Sequence, residues 1–208
     1  MESKNKKLII FDFDGVLVNT IDFCFTELKI FNNDLTLEKF KSFAHGNFHD
    51  SLDKNKTKNS FVVPGNWQEI YDKNIKEFTI NDVFDNTIKV LSKNNYLVIV
   101  SSSWNESINK FLDKENIKKY FTDILGADTH KSKIVKIKLV LKKYKIEAQN
   151  AVFITDSLGD ILEGNECGVY SIAVTWGIHD KKTLEKGKPS IIIDDPRDLL
   201  KTIQFVLK

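Results

Sequence analysis

"KKLIIFDFDGVLVNT", residues 6–20, runs four apolar side chains, Leu8 to Phe11, into two carboxylates, Asp12 and Asp14, followed by Gly15. An apolar run closed by a turn signal reads as a buried strand. Two acids at its end repel each other, and partial burial deepens the repulsion. A bound cation, a reaction that uses both groups, or full exposure to water would offset that cost. Alternation along an extended chain puts Asp12 and Asp14 on one side and Phe13 on the other.

Working outward, four more strand-like runs follow: "YLVIVSS" (96–102), "AVFITD" (151–156), "YSIAVTW" (170–176) and "SIIID" (190–194), with a short candidate, "TDILGA", at 122–127. Helical periodicity lies between them. "VFDNTIKVLSKNN" carries Val83, Phe84, Ile88 and Leu91 on one face, and "KIVKIKLVLKKY" repeats apolar positions from Ile134 to Tyr144. "DPRDLLKTIQFVL" closes the chain with Pro196 suited to a first helical turn. Apolar strands alternating with helices predict an α/β fold: a three-layer sandwich whose parallel, Rossmann-like sheet is covered on both faces. Such sheets bind ligands beyond the carboxyl ends of their strands.

Residues 20 to about 80 break the alternation, because no strand pattern occurs there. "TIDFCFTELKIFNN" and "NWQEIYDKNIKEF" read as helices, separated by the polar stretch "DSLDKNKTKNS". The segment leaves the sheet directly after the Asp12–Asp14 loop and returns before the second strand. It therefore reads as a small α-helical cap, residues 19–81, inserted over the carboxylates of a core formed by 1–18 and 82–208.

With 41% hydrophobic and 29% charged residues the composition is that of a soluble globular protein, and no stretch approaches the roughly 18 apolar residues of a membrane span. Net charge is +2 and Arg197 is the sole arginine, which disfavours a nucleic-acid partner. Cys24 and Cys167 lack metal-type spacing and fit a reducing compartment. The apolar part of "KKLIIF" is too short for a signal peptide and is interrupted by acids, so a cytoplasmic location is expected. Monomer is the default expectation.

The strand ends share one chemistry. The first offers Asp12 and Asp14, the second Ser101, Ser102 and Ser103, and the third long run Asp156, with Asp160 four residues on. "THKSK" supplies Lys131 and Lys133 before a helix whose expected N-cap is Ser132. A lysine in a first helical turn opposes the helix dipole, which makes sense if it faces an anion. Carboxylates suited to a hard cation, beside hydroxyls and an ammonium suited to phosphate, describe a magnesium-dependent phosphoryl-transfer site.

"DFDGVL", the strand ending in Ser101, Lys133 and "ITDSLGD" resemble, in order, the four motifs of the haloacid dehalogenase superfamily, with a helical cap where its cap-type-one members carry theirs. The similarity covers essentially the whole chain, and the second aspartate of the first motif points to the phosphatase branch. "VTWGI" at 174–178 resembles a loop of phosphoglycolate-phosphatase-like members. Asn19 stands where many relatives have Asp, and Lys133 is not followed by proline. The resemblance implies Asp12 as nucleophile and Asp14 as acid and base. It implies Mg2+ held by Asp12, Asp156 and the backbone carbonyl of Asp14, and phosphate held by Ser101, or Ser102 next, and by Lys133. Asp160 would support the metal from behind its direct ligands or through water. The implied partner is a small phosphorylated substrate.

Alternatives remain at several positions. Lys131 competes with Lys133. His45 and His49 are either a weak metal pair or, with Phe43 and Phe48, part of the substrate side, while Cys24 belongs to the core. A phosphomutase or phosphonate hydrolase is possible on the same core. A phospho-accepting receiver is disfavoured, because its acceptor aspartate lies on a later strand and it has no such insertion.

Overall fold

A computed structural model describes residues 6–57, 61–80 and 82–208. The end of the polar stretch (58–60) and the expected cap boundary at 81 lie outside the described residues. The elements run β1 (Leu8–Phe11), α1 (Ile21–Phe31), α2 (Leu37–Ser42), α3 (Phe48–Thr57), α4 (Trp67–Asn74), α5 (Asp82–Ser92), β2 (Tyr96–Val100), α6 (Asn105–Lys114), β3 (Asp123–Leu125), α7 (Lys133–Tyr144), β4 (Ala151–Thr155), α8 (Leu158–Glu166), β5 (Tyr170–Val174), α9 (Lys181–Glu185), β6 (Ile191–Ile193) and α10 (Leu199–Val206).

All six strands pair in parallel, in the order β3-β2-β1-β4-β5-β6. The chain lays down β1 to β3 in one direction and then returns to the other side of β1 for β4. The sheet therefore switches direction between β1 and β4, where open α/β sheets form their binding crevice. Period-two alternation divides the side chains between two apolar layers. Ile9, Phe11, Leu97, Ile99, Val152 and Ile154 join α5, α6 and α10 on one face. Leu8, Ile10, Val98, Val100 and Phe153 meet Ile137 and Val140 of α7 on the other. The α/β three-layer expectation holds.

Between β1 and α5 the described residues form helices and connections only. Two of these helices carried no clear periodic signal. α3 occupies much of the polar stretch: its Phe48 and Leu52, one turn apart, pack on the apolar cluster built from Leu28, Leu35, Phe40, Phe43 and Phe61. The Asn47 carboxamide oxygen caps it by accepting the Asp50 N–H at 3.1 Å. α2 is capped by Thr36, whose hydroxyl accepts the Lys39 N–H at 3.1 Å. Caps and two anchoring side chains suffice where a neighbouring surface supplies the packing.

α4 is bound differently. Its Tyr71, with Ile75 just beyond it, belongs to the large cluster of the sheet face. Its Asp72 accepts hydrogen bonds from Ser107 and Lys110 of α6, the latter at 2.7 Å. Another bridge to the sheet layers is His179, after β5: Nδ1 accepts the Leu158 N–H at 3.0 Å, and Nε2 lies 3.0 Å from the Lys41 carbonyl. Burial pushes this imidazole down to about 4, so it is neutral at pH 7 and its Nε2–H donates.

Candidate active site

β1 delivers Asp12 to the switch point. The Asp12 N–H donates to the Ile154 carbonyl at 2.9 Å, extending the β1–β4 ladder one residue past β1. Phe13 turns to the opposite, apolar side and meets the Phe111 ring edge-on at 5.3 Å. Gly15 then takes φ +75°, and its N–H closes a turn on the Val18 carbonyl at 2.8 Å. This turn also makes room for Asp156: a Cβ on Gly15 would stand 1.9 Å from Asp156 Oδ2, and one on Gly177 2.2 Å from it. Glycine at both places lets Asp156, just past β4, sit between the loops that follow β1 and β5.

Lys133, at the start of α7, is 3% exposed and lies between two acids. Its Nζ donates to Asp12 Oδ2 at 2.8 Å and to Asp160 Oδ2 at 2.6 Å. Ser132 holds the N-cap position but not the cap bond; the Lys133 N–H instead donates to Glu163 Oε1 of α8 at 3.1 Å. That acceptor suits the positive end of a helix and offsets the placing of a lysine there. Burial pushes the Lys133 pKa down, but Asp12 and Asp160 outweigh it and hold the ammonium above its ordinary range.

One ammonium does not balance the acids it faces. Burial, with the charges of Asp160 and Asp156, holds Asp12 well above the usual carboxylate range despite Lys133. Burial pushes Asp156 up to about 7, opposed by the Ile178 N–H that donates to its Oδ2 at 2.7 Å. Asp160 is also raised by burial, yet Lys133 and the Thr155 hydroxyl, 2.8 Å away, bring it below its ordinary value. The expected tie of Asp160 to the metal is thus accompanied by a direct tie to Lys133.

Among the described residues, no three His, Cys, Asp or Glu side chains converge on one metal point. The expected set needs only two carboxylates, Asp12 and Asp156, plus the Asp14 carbonyl. An all-oxygen set with surplus negative charge fits Mg2+, which keeps several positions for water and phosphate oxygens.

The Asp14 side chain is engaged elsewhere. Oδ1 accepts the hydroxyls of Thr20, at 2.6 Å, and Tyr71, and Oδ2 accepts Ser103 at 2.6 Å. Of the serine run, Ser102 and Ser103 reach the cavity wall, while Ser101 is fully buried and its Oγ accepts the Ser103 N–H at 3.0 Å. Tyr71 stands out because it comes from α4, outside the sheet. Burial, then the Asp14 charge, raises its phenol well above the ordinary range, so it remains a donor. Tyr71→Phe should lower kcat/KM about 10- to 100-fold, since a hydrogen bond to a charged group contributes roughly 1.5–3 kcal/mol. A positioning role predicts a larger loss on alkyl phosphates than on p-nitrophenyl phosphate; equal losses would indicate a purely structural effect.

These groups open into a cavity of about 220 Å3 beneath α1, α2, α3 and α4. His49 and Phe48 line it, as does Cys24; Phe43 is instead buried in the insertion's apolar cluster, and His45 rests on the His179 ring at 5.0 Å. His49 Nε2 is buried without a hydrogen-bond partner. Lys131 is solvent-exposed and paired with Asp53 at 2.8 Å. The lysine-rich faces at 136–145 are expected from sequence to be solvated helix surface, but Lys136, one turn after Lys133, is instead fully buried. It donates to the Ser101 carbonyl and, at 3.3 Å, to the Gly126 carbonyl. Its position one turn from Lys133, on the same helix face, was the available signal. Burial, then Lys133, lowers it to about 8.

The sequence profile of the haloacid dehalogenase-like hydrolases matches residues 9–174. Phosphoglycolate phosphatase 1 of Pseudomonas aeruginosa is 30% identical over 118 residues, 55% of this chain and 43% of that protein. Pyrophosphatase PpaX of Oceanobacillus iheyensis is 25% identical over 207 residues, 93% of this chain and 95% of that one. Among solved structures, a hydrolase from Pseudomonas syringae superposes with a TM-score of 0.81 at 16% identity, covering 98% of this chain and all of that one. A haloacid dehalogenase-like hydrolase from Streptococcus pneumoniae gives 0.73 at 21% identity, with coverage of 98% and 100%. At such identities these two structures speak for the fold.

Proposed function

The chain belongs to the haloacid dehalogenase-like hydrolases, and on that premise we propose that it is a magnesium-dependent phosphatase of small phosphomonoesters working through a phosphorylated Asp12. The observation that carries this reading is the placing of Asp12, Lys133 and Asp160 in one buried ion cluster at the sheet's switch point, with Asp14 lining the same cavity. The phosphatase relatives support the same reaction class.

In this reading a carboxylate oxygen of Asp12 attacks phosphorus while the bond to the leaving oxygen breaks, and Asp14 gives that oxygen its proton. The alcohol departs, leaving an aspartyl-phosphate. Asp14, now ionised, takes a proton from water as the water attacks phosphorus; the bond to Asp12 breaks and inorganic phosphate forms. Lys133 and the serine hydroxyls hold the phosphoryl oxygens, where charge spreads in the transition state. Asp12, Asp156 and the Asp14 carbonyl would hold Mg2+, which would supply the positive charge that Lys133 alone does not. Residues 19–81 act as a cap that keeps water from the reacting atoms.

Phosphate release from p-nitrophenyl phosphate tests the reading. Turnover should vanish in EDTA, return with added magnesium and fall with excess calcium, which demands more ligands and disturbs in-line geometry. Undiminished turnover in EDTA would overturn the metal assignment. A protein that moves phosphate between two positions of one substrate without releasing it would be a mutase instead.

A further inference from the structure

Resting on the phosphatase reading, we propose that the substrate is a monoester whose leaving group is uncharged and largely apolar, a single ring or short hydrocarbon chain, and is not phosphoglycolate, pyrophosphate or a sugar phosphate. The argument comes from the wall facing the reacting atoms. Leu28, Phe40, Phe48, Leu52, Trp67 and Trp104 contribute carbon surface to the cavity. Among the described residues, Lys133 is the only cationic side chain on that wall, and Asp12 and Asp160 already occupy it. Burial and the nearby Lys136, Lys131 and Lys133 depress His49 to about 4, so it adds no positive charge at neutral pH.

Charge decides against the substrates of the named relatives. Four acids, Asp12, Asp14, Asp156 and Asp160, already line the site with one lysine, and even with Asp14 protonated for its role as acid the other three outnumber that lysine. A magnesium ion would spend its charge on them and on the transferring phosphoryl group. A leaving group carrying a carboxylate or a second phosphate would then be buried with no counter-ion, a state that proteins avoid or make unstable. A sugar would lose water from several hydroxyls against a wall that is mostly carbon, where the unpartnered His49 Nε2 could pair with only one of them, and unpaired polar groups are costly there too. An apolar leaving group gains by burial. Size sets an upper limit: an apolar cavity of roughly 150 Å3 holds a benzene ring, and this one, which must also hold the phosphoryl group, measures about 220 Å3, so the leaving group is no larger than a single ring or short chain.

The test compares esters of alcohols with similar basicity, so that the bond being broken does not decide the outcome. Phosphate release is measured with magnesium on the wild-type protein for benzyl phosphate, phosphoglycolate and glucose 6-phosphate. The proposal expects kcat/KM for benzyl phosphate at least about tenfold above each of the others, a preference of the size hydrophobic pockets achieve. A preference below tenfold, or its reversal, overturns the apolar assignment while leaving the phosphatase reading intact. Release from none of these esters, nor from p-nitrophenyl phosphate, overturns that reading, and this inference falls with it.

Discussion

Asp12→Asn should form no acid-stable phosphoenzyme and lose kcat/KM on the order of 10⁴-fold or more on every ester, because the proposed mechanism then has no attacking oxygen. Asparagine keeps the shape, so the Ile154 ladder bond, made through the backbone, and the turn at Gly15 should survive. Asp14→Asn should fail in a different way. Its nucleophile remains, and the proton it would give is worth about 10²–10⁴-fold. Esters with poor leaving groups need that proton, whereas p-nitrophenolate departs without it. Asp14→Asn should therefore still accumulate phosphoenzyme slowly from p-nitrophenyl phosphate and almost none from an alkyl phosphate. Rapid quenching with radiolabelled esters measures both. Identical behaviour of the two variants across leaving groups would overturn the division of roles.

The contrast between these acids shows what could be read from sequence and what could not. Asp12, Asp14, Asp156 and Lys133 were legible because each stands at a strand end or helix start that local periodicity defines. A parallel sheet then brings those ends together without further information. The partners of Asp14 were not legible. Thr20 lies six residues on, Ser103 comes from the end of β2, and Tyr71 from a helix 57 residues away. No spacing rule links such positions, since only tertiary packing puts them on one carboxylate. The serine run had the same ambiguity for another reason. After β2 the chain leaves the period of a strand, so alternation no longer says which hydroxyl faces inward. α3 escaped because its stability rests on a neighbouring surface rather than on its own sequence.

Lys133 offers the second large effect, and its neighbours make the outcome specific. Removing the side chain leaves the buried carboxylates of Asp12 and Asp160 without the ammonium now 2.8 and 2.6 Å away. Breaking a buried pair by deleting one partner costs about 3–5 kcal/mol. For a domain of this size, that lowers Tm by about 6–20 °C. Lys133→Met, which fills the space without the charge, should lose nearly as much, so the deficit is electrostatic and not a cavity. It should also depend on pH. Without the lysine the folded-state pKa values of Asp12 and Asp160 rise, so over the range between their unfolded and folded values the native state binds more protons than the unfolded chain. Stability of the variant must then fall as pH rises through that range and recover on acidification. The Tm gap between wild type and Lys133→Met should accordingly narrow as the pH falls from neutrality. Catalysis loses more than a hydrogen bond. A protonated Asp12 is a poor nucleophile, and the transition state loses a charge beside its spreading negative oxygens, so kcat/KM should drop about 10²–10³-fold. Lys131→Ala is the control. Its side chain is 61% exposed and its partner Asp53 51% exposed, and surface pairs of that kind contribute little. A larger loss at Lys131 than at Lys133, in either Tm or kcat/KM, would transfer the phosphate-binding role to Lys131.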